Sequence, residues 1–207
     1  MTESLNYTTE IFGEMSSKAV VSIHGWNSDG EYFKKIAQSM QLNDIQWFFP
    51  EGPYSVDNSN PGRSWSYEKS PGIWERDEPV KLLNQFFNEI VFDQYDSENV
   101  YVIGFSQGAI ICYEFIMKMD IPLGGIFPIS GFISSPKEKK LTLDPAQRNT
   151  RILIGHGKQD EIVPVSASEK AYELLKGQDA KVELYLYNGK HKISINYLWK
   201  AKELIMK

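Results

Sequence analysis

The sequence predicts an α/β fold with a mostly parallel central sheet flanked by helices. Short β-branched and aromatic runs alternate with amphipathic stretches along nearly its whole length. The chain has 207 residues, 42% of them hydrophobic, which suits one sizeable core and a single domain spanning residues 1–207. No internal repeat or low-complexity tract interrupts the alternation.

Taken in order, residues 19–23 read as a buried strand ending at His24-Gly25, and residues 31–40 as a helix. Residues 45–49 form the next strand, stopped by Pro50. Residues 51–72 are rich in Gly, Pro, Ser and Asn and are too long for a simple connector, which predicts a functional loop. Residues 75–95 carry helical periodicity, with Leu82, Leu83, Phe86, Phe87, Ile90 and Val91 on one side. Residues 100–105 are a strand, 109–119 its following helix, and 125–129 a further strand. A loop follows that contains Asp144-Pro145 and residues 136–140, whose lysines read as a solvated surface. Residues 152–154, 165–175, 182–187 and 193–205 supply strand, helix, strand and helix, with right-handed crossovers expected between parallel strands.

The composition narrows the function. A formal net charge of −5 gives no basic footprint for nucleic acid or an anionic membrane. The single cysteine, Cys112, cannot form an internal disulfide and reads as a small core residue. Residues 1–10 lack the charged and apolar regions of a signal peptide, and no apolar run reaches spanning length, so a cytoplasmic protein without integral membrane association is expected.

Residues 100–109 read Val-Tyr-Val-Ile-Gly-Phe-Ser-Gln-Gly-Ala, a strand that breaks at Gly104, presents Ser106, and resumes after Gly108 as a helix. Strand, G-x-S-x-G and helix in that order predict a nucleophile elbow. A serine hydroxyl is a poor nucleophile until a base takes its proton, so a histidine and an orienting acid must follow, in the chain order Ser, acid, His. The chain has three histidines, and only His191 lies after both the elbow and a plausible acid; His24 precedes Ser106 and His156 immediately precedes the acid. Asp160 is that acid, just past the carboxyl end of the strand at 152–154, where functional groups of open α/β sheets collect; Glu161 is the alternative. Cys112 lies within the following helix and lacks an elbow of its own. The oxyanion formed during acyl transfer requires two N–H donors. One is expected from Gln107, and one from the loop at residues 23–27, assigned to Trp26 with Gly25 and Asn27 open.

His24-Gly25, the elbow at 104–109, Ser130-Gly131-Phe132, Gly155-His156-Gly157-x-x-Asp160 with Val163-Pro164, and the late His191 together resemble the phospholipase/carboxylesterase family, which includes acyl-protein thioesterases. The resemblance implies an α/β-hydrolase fold of minimal size, and the short segments between the last strands leave no room for a large cap domain, so an open cleft is expected. The resemblance also implies a serine hydrolase of carboxylic esters or thioesters that uses no metal or cofactor, with triad roles for Ser106, Asp160 and His191 and oxyanion donors at Trp26 and Gln107. Lipid-like esters and acylated proteins enter as substrates on the resemblance alone, and a homodimer is left open. The segment at 61–67 resembles the loop that members place beside the acyl site, which makes Trp65 a candidate pocket wall alongside Trp26, Phe132 and Val163. Two departures stand out: Ala109 replaces the second glycine common after the elbow, and Lys190 and Lys192 flank His191, where nearby positive charge would lower imidazole basicity. A lactone or small-peptide hydrolase, and a degenerate hydrolase fold used only for binding, are the competing readings.

Overall fold

The computed structural model describes residues 4–13, 16–57, 60–133 and 141–207; the lysines expected in a solvated loop at 136–140 lie outside them. In chain order the elements are β1 (Tyr7–Phe12), β2 (Lys18–Ile23), α1 (Gly30–Met40), β3 (Ile45–Pro50), β4 (Tyr54–Asp57), β5 (Asn60–Ser64), β6 (Tyr67–Ser70), β7 (Ile73–Glu75), α2 (Asp77–Phe86), β8 (Val100–Phe105), α3 (Gln107–Glu114), β9 (Gly125–Ile129), β10 (Arg151–Gly157), α4 (Ser166–Lys176), β11 (Val182–Tyr187) and α5 (Ile195–Ile205). Seven strands form the central sheet in the order β1-β3-β2-β8-β9-β10-β11. Six of them run parallel, and β1 pairs antiparallel with β3.

Strand alternation sorts the apolar residues into two cores. From β2, Ala19, Val21 and Ile23 enter one and Val20 the other; from β8, Val100 and Val102 enter the first, Tyr101 and Ile103 the second. Leu83 and Phe86 of α2, Ile111 of α3 and Leu175 of α4 close the first core. Phe33 and Met40 of α1 and Leu198 and Ile205 of α5 close the second. Each such side chain, buried in full, stabilises the fold by about 1.5–3 kcal/mol before chain entropy is counted. Both faces of the sheet are therefore covered at its centre, which is why the inner strands β2, β3, β8 and β9 are buried almost without a break.

The sequence runs outward from β2 in opposite directions, through β3 on one side and β8 on the other. The carboxyl ends of β2 and β8 thus mark the point where strand order reverses, which is where open α/β sheets collect their ligand sites. The helix after β2 is fixed locally by Asp29, whose Oδ1 accepts the N–H groups of Glu31 and Tyr32. Such a cap is worth about 1 kcal/mol.

The structure differs from the sequence reading at several edges. Strand β1 was not anticipated, because its residues are mostly exposed or half-buried and carry no apolar run. Residues 51–72 are largely hairpin: β4 pairs with β5 and β6 with β7, and Glu75 ends β7 instead of opening a helix. Helix α2 starts at Asp77 and passes into a π-helical turn at Phe87–Val91. The elbow helix begins at Gln107, two residues early, and ends at Glu114 before a separate short turn at Ile116–Lys118. Strand β10 extends through Gly157, and α5 starts at Ile195. Among the described residues, no helix is long and apolar enough to cross a membrane.

Candidate active site

Ser106 is the single residue between β8 and α3, with φ 54° and ψ −111°. A non-glycine residue at positive φ stores about 1–3 kcal/mol of strain, which the surrounding packing must hold. That packing depends on two glycines. A side-chain carbon at Gly108 would lie 2.0 Å from the Ile23 carbonyl oxygen, and one at Gly104 would lie 2.4 Å from the Gly108 carbonyl oxygen. Ala109 is tolerated because its neighbour supplies the room: a carbon at Gly131 would come within 2.5 Å of Ala109 Cβ.

His191 reaches the serine from the loop between β11 and α5. Its Nε2 lies 3.0 Å from Ser106 Oγ, and its Nδ1 lies 2.8 Å from Asp160 Oδ2. The Asp160 side chain is fully buried. Burial alone would raise its pKa, but hydrogen bonds from the Val163 N–H, from His191 and from the Ile162 N–H outweigh it and hold the carboxyl below the usual range. Both amides donate to Oδ1 at 2.9 Å. An ionised Asp160 accepts the Nδ1 proton, which leaves the Nε2 lone pair facing the serine hydroxyl.

The loops carrying Asp160 and His191 are joined through backbone. Lys158 N–H donates to Tyr187 O at 2.8 Å and Gln159 N–H to Gly189 O at 2.9 Å. Tyr187 Oη donates to Lys192 O at 2.7 Å, and the Phe105 ring lies 4.9 Å from the imidazole. Glu161, the alternative acid, points elsewhere: its Oε2 lies 3.4 Å from Lys190 Nζ, and both side chains are exposed. That pairing sets a carboxylate against one of the two lysines that flank His191.

His156 is buried behind Asp160, with Nδ1 2.6 Å from Ser168 Oγ and Nε2 2.9 Å from Val163 O. It therefore braces the turn whose amides hold Asp160. On the other side of the serine, Gly25 packs so closely that a side-chain carbon there would lie 3.3 Å from Ser106 Cβ. His24 is fully buried, and burial lowers its pKa to about 4.

The four candidate substrate contacts separate. Trp26 and Phe132 are exposed, each one residue beyond a glycine that packs on the elbow. Trp65 corrects the pocket-wall expectation: it has no exposed surface, its Nε1–H donates to His24 O at 3.0 Å, and its ring packs on His24. Val163 is also buried, and it serves the site through its amide. The sequence reading missed the Gln107 side chain, His24 and His156. For the two histidines the available signal was their position beside glycine at the ends of strands.

A serine on a strand-to-helix elbow, a loop histidine and a buried aspartate at the carboxyl edge of a parallel sheet define a serine hydrolase of the α/β-hydrolase fold. The chain belongs to the phospholipase/carboxylesterase family, whose sequence profile matches residues 12–207. It is 25% identical to acyl-protein thioesterase 1 of Kluyveromyces lactis over 171 residues, 75% of each chain. It is 26% identical to carboxylesterase SOBER1 of Arabidopsis thaliana over 189 residues, 84% of this chain and 83% of that protein. In fold it matches esterase PE8 with a TM-score of 0.82 at 22% identity over 99% of each chain. It matches the Bacillus cereus carboxylesterase with a TM-score of 0.81 at 19% identity, covering 99% of this chain and 95% of that one.

Proposed function

We propose that Ser106 is the nucleophile of an ester or thioester hydrolase that works through an acyl-enzyme, with His191 as general base and acid and Asp160 orienting the imidazole. The observation that carries this reading is the continuous chain from Ser106 Oγ to His191 Nε2 and from His191 Nδ1 to Asp160 Oδ2. Ser106 Oγ bonds to the acyl carbon while its proton passes to Nε2. The C–O or C–S bond to the leaving group then breaks, and Nε2 returns the proton to the departing oxygen or sulfur. Water repeats the sequence and frees the acid. The Trp26 and Gln107 amides are the proposed oxyanion donors. Gln107 opens α3, so its N–H has no acceptor within the helix.

Exposed Trp26 and Phe132 beside the elbow favour an apolar acyl group in an open cleft. Acyl-protein thioesters are drawn in by the names of the relatives, and small or medium acyl esters by the open site. The test is labelling with a serine-directed fluorophosphonate followed by hydrolysis of nitrophenyl esters, thioesters, lactones and amides of graded acyl length, with Ser106→Ala as control. Labelling and ester turnover lost together in Ser106→Ala are expected. No labelling of the unmodified protein would leave the binding-protein reading standing, and preferred cleavage of lactones or amides would replace the ester assignment.

A further inference from the structure

His24 plays no part in the triad, yet its imidazole is fully buried beside the loop that approaches Ser106. Its Nε2 lies 2.9 Å from Gly52 N. A backbone N–H can only donate, so Nε2 carries a lone pair and the ring proton of the neutral imidazole sits on Nδ1. Nδ1 lies 2.7 Å from the carbonyl oxygen of the next residue, Gly25, and therefore donates to it. The low proton affinity that burial gives the ring keeps it neutral across the working range of a serine hydrolase.

The Gly25 carbonyl and the Trp26 N–H belong to one planar trans peptide unit, in which C=O and N–H point in opposite directions. Fixing one fixes the other. The fixing matters because Gly25, where a side-chain carbon would crowd Ser106 Cβ at 3.3 Å, has no side chain of its own to restrict it, and a peptide flanked by glycine rotates more freely than one between larger residues. A rotated unit would present a carbonyl oxygen where a negatively charged oxygen must form. The preceding peptide is held as well, by the bond from Trp65 Nε1–H to His24 O at 3.0 Å.

We propose that His24 is a positioning residue for the oxyanion hole: its Nδ1–H, set in that tautomer by the Gly52 amide, holds the Gly25 carbonyl and so directs the Trp26 N–H at the substrate oxygen. The inference rests on the reading of Ser106 as nucleophile and Trp26 as donor. Loss of one such donor lowers turnover by about 100- to 1,000-fold, which bounds the effect.

Two variants separate the roles of the two ring nitrogens. In His24→Asn the side-chain amide nitrogen stands as many bonds from Cβ as Nδ1 and keeps the donor to Gly25 O. In His24→Gln the side-chain oxygen stands as many bonds away as Nε2 and keeps only the acceptor for Gly52. Nitrophenyl butyrate turnover is measured below the melting temperature of each variant, together with inhibition by phenylboronic acid, whose tetrahedral adduct places an oxygen in the hole. Expected is a fall in kcat of at least about tenfold for His24→Gln with KM nearly unchanged, a parallel loss of boronic acid affinity, and recovery of most of that loss in His24→Asn. Equal losses in both variants, or a loss seen only in KM or in stability, would overturn the proposal. The unmodified protein gives a second reading that needs no variant. With nitrogen-15-labelled histidine, NMR should show His24 neutral with its proton on Nδ1 at pH 7, and a proton on Nε2 overturns the inference. If the unmodified protein does not react with a fluorophosphonate, the nucleophile assignment fails and this proposal with it; reaction at Ser106 with wild-type kcat in His24→Gln removes the His24 role alone.

Discussion

The Trp65 N–H donates to Gln107 Oε1 at 2.9 Å, so a buried residue after β5 is tied to the first residue of the elbow helix. The amide end of Gln107 completes the link through Ser64 Oγ at 3.0 Å and Ser66 Oγ at 2.8 Å. Because Trp65 also donates from its indole to His24 O, residues 64–66 brace both loops assigned to the oxyanion hole.

Gln107→Ala should therefore lower stability although it removes no apolar packing of note. It strips the acceptor from the Trp65 amide, whose residue has no exposed surface, and the expected cost is about 1–3 kcal/mol. Urea unfolding measures it. Turnover should fall too, although the backbone N–H at position 107 survives; unchanged stability and turnover would show that the brace contributes nothing.

Asp160→Asn should reduce kcat by about 10⁴-fold, because an amide facing Nδ1 favours the wrong imidazole tautomer. The fold should persist, since the asparagine oxygen can still accept the Ile162 and Val163 amides. The aspartate's folded pKa lies below its unfolded one, so its contribution to stability is complete above the unfolded value near pH 4 and disappears as pH falls through the lower folded value. Acid unfolding of Asp160→Asn should lack that component.

His24 acts in a different pH window. In the unfolded chain it takes up a proton near pH 6.5, whereas in the folded protein it resists protonation down to about pH 4. Between those values the unfolded state binds more protons, so stability rises with pH, by about 3 kcal/mol across the window. Denaturant unfolding followed from pH 7 to pH 4 should show this slope, and it should vanish in His24→Asn.

Gly108→Ala should fail to yield active protein, because the new methyl would sit 2.0 Å from the Ile23 carbonyl oxygen and 3.0 Å from that of His24, both of them backbone that cannot swing away. Ala109→Gly, one residue on, should fold and lose only about 1 kcal/mol through helix propensity. Thermal unfolding and fluorophosphonate labelling of the pair compare the two positions directly.

How much was legible in the sequence follows from where each signal resides. The buried parallel strands announced themselves because both faces are covered, as in the unbroken run Trp47-Phe48-Phe49. Strand β1 did not, since an edge strand with exposed Tyr7 and Ile11 has no buried face to repeat. The grouping of Ser106, His191 and Asp160 was legible because chain order leaves one histidine after Asp160. Chain order says nothing of His24, whose partner Gly52 is 28 residues away, so that its contacts are tertiary. Trp65 was misplaced for the same reason: nothing local tells an indole that packs on a buried histidine from one that faces a ligand.

The acid and base loops are held together at Lys158, Gln159, Tyr187 and Gly189 by main-chain groups. The registration between Asp160 and His191 at these positions thus rests on groups that every residue but proline possesses. Substitutions at the rim that change its charge or size should therefore leave the spacing between Asp160 and His191 in place, because the main chain that sets it is common to every side chain.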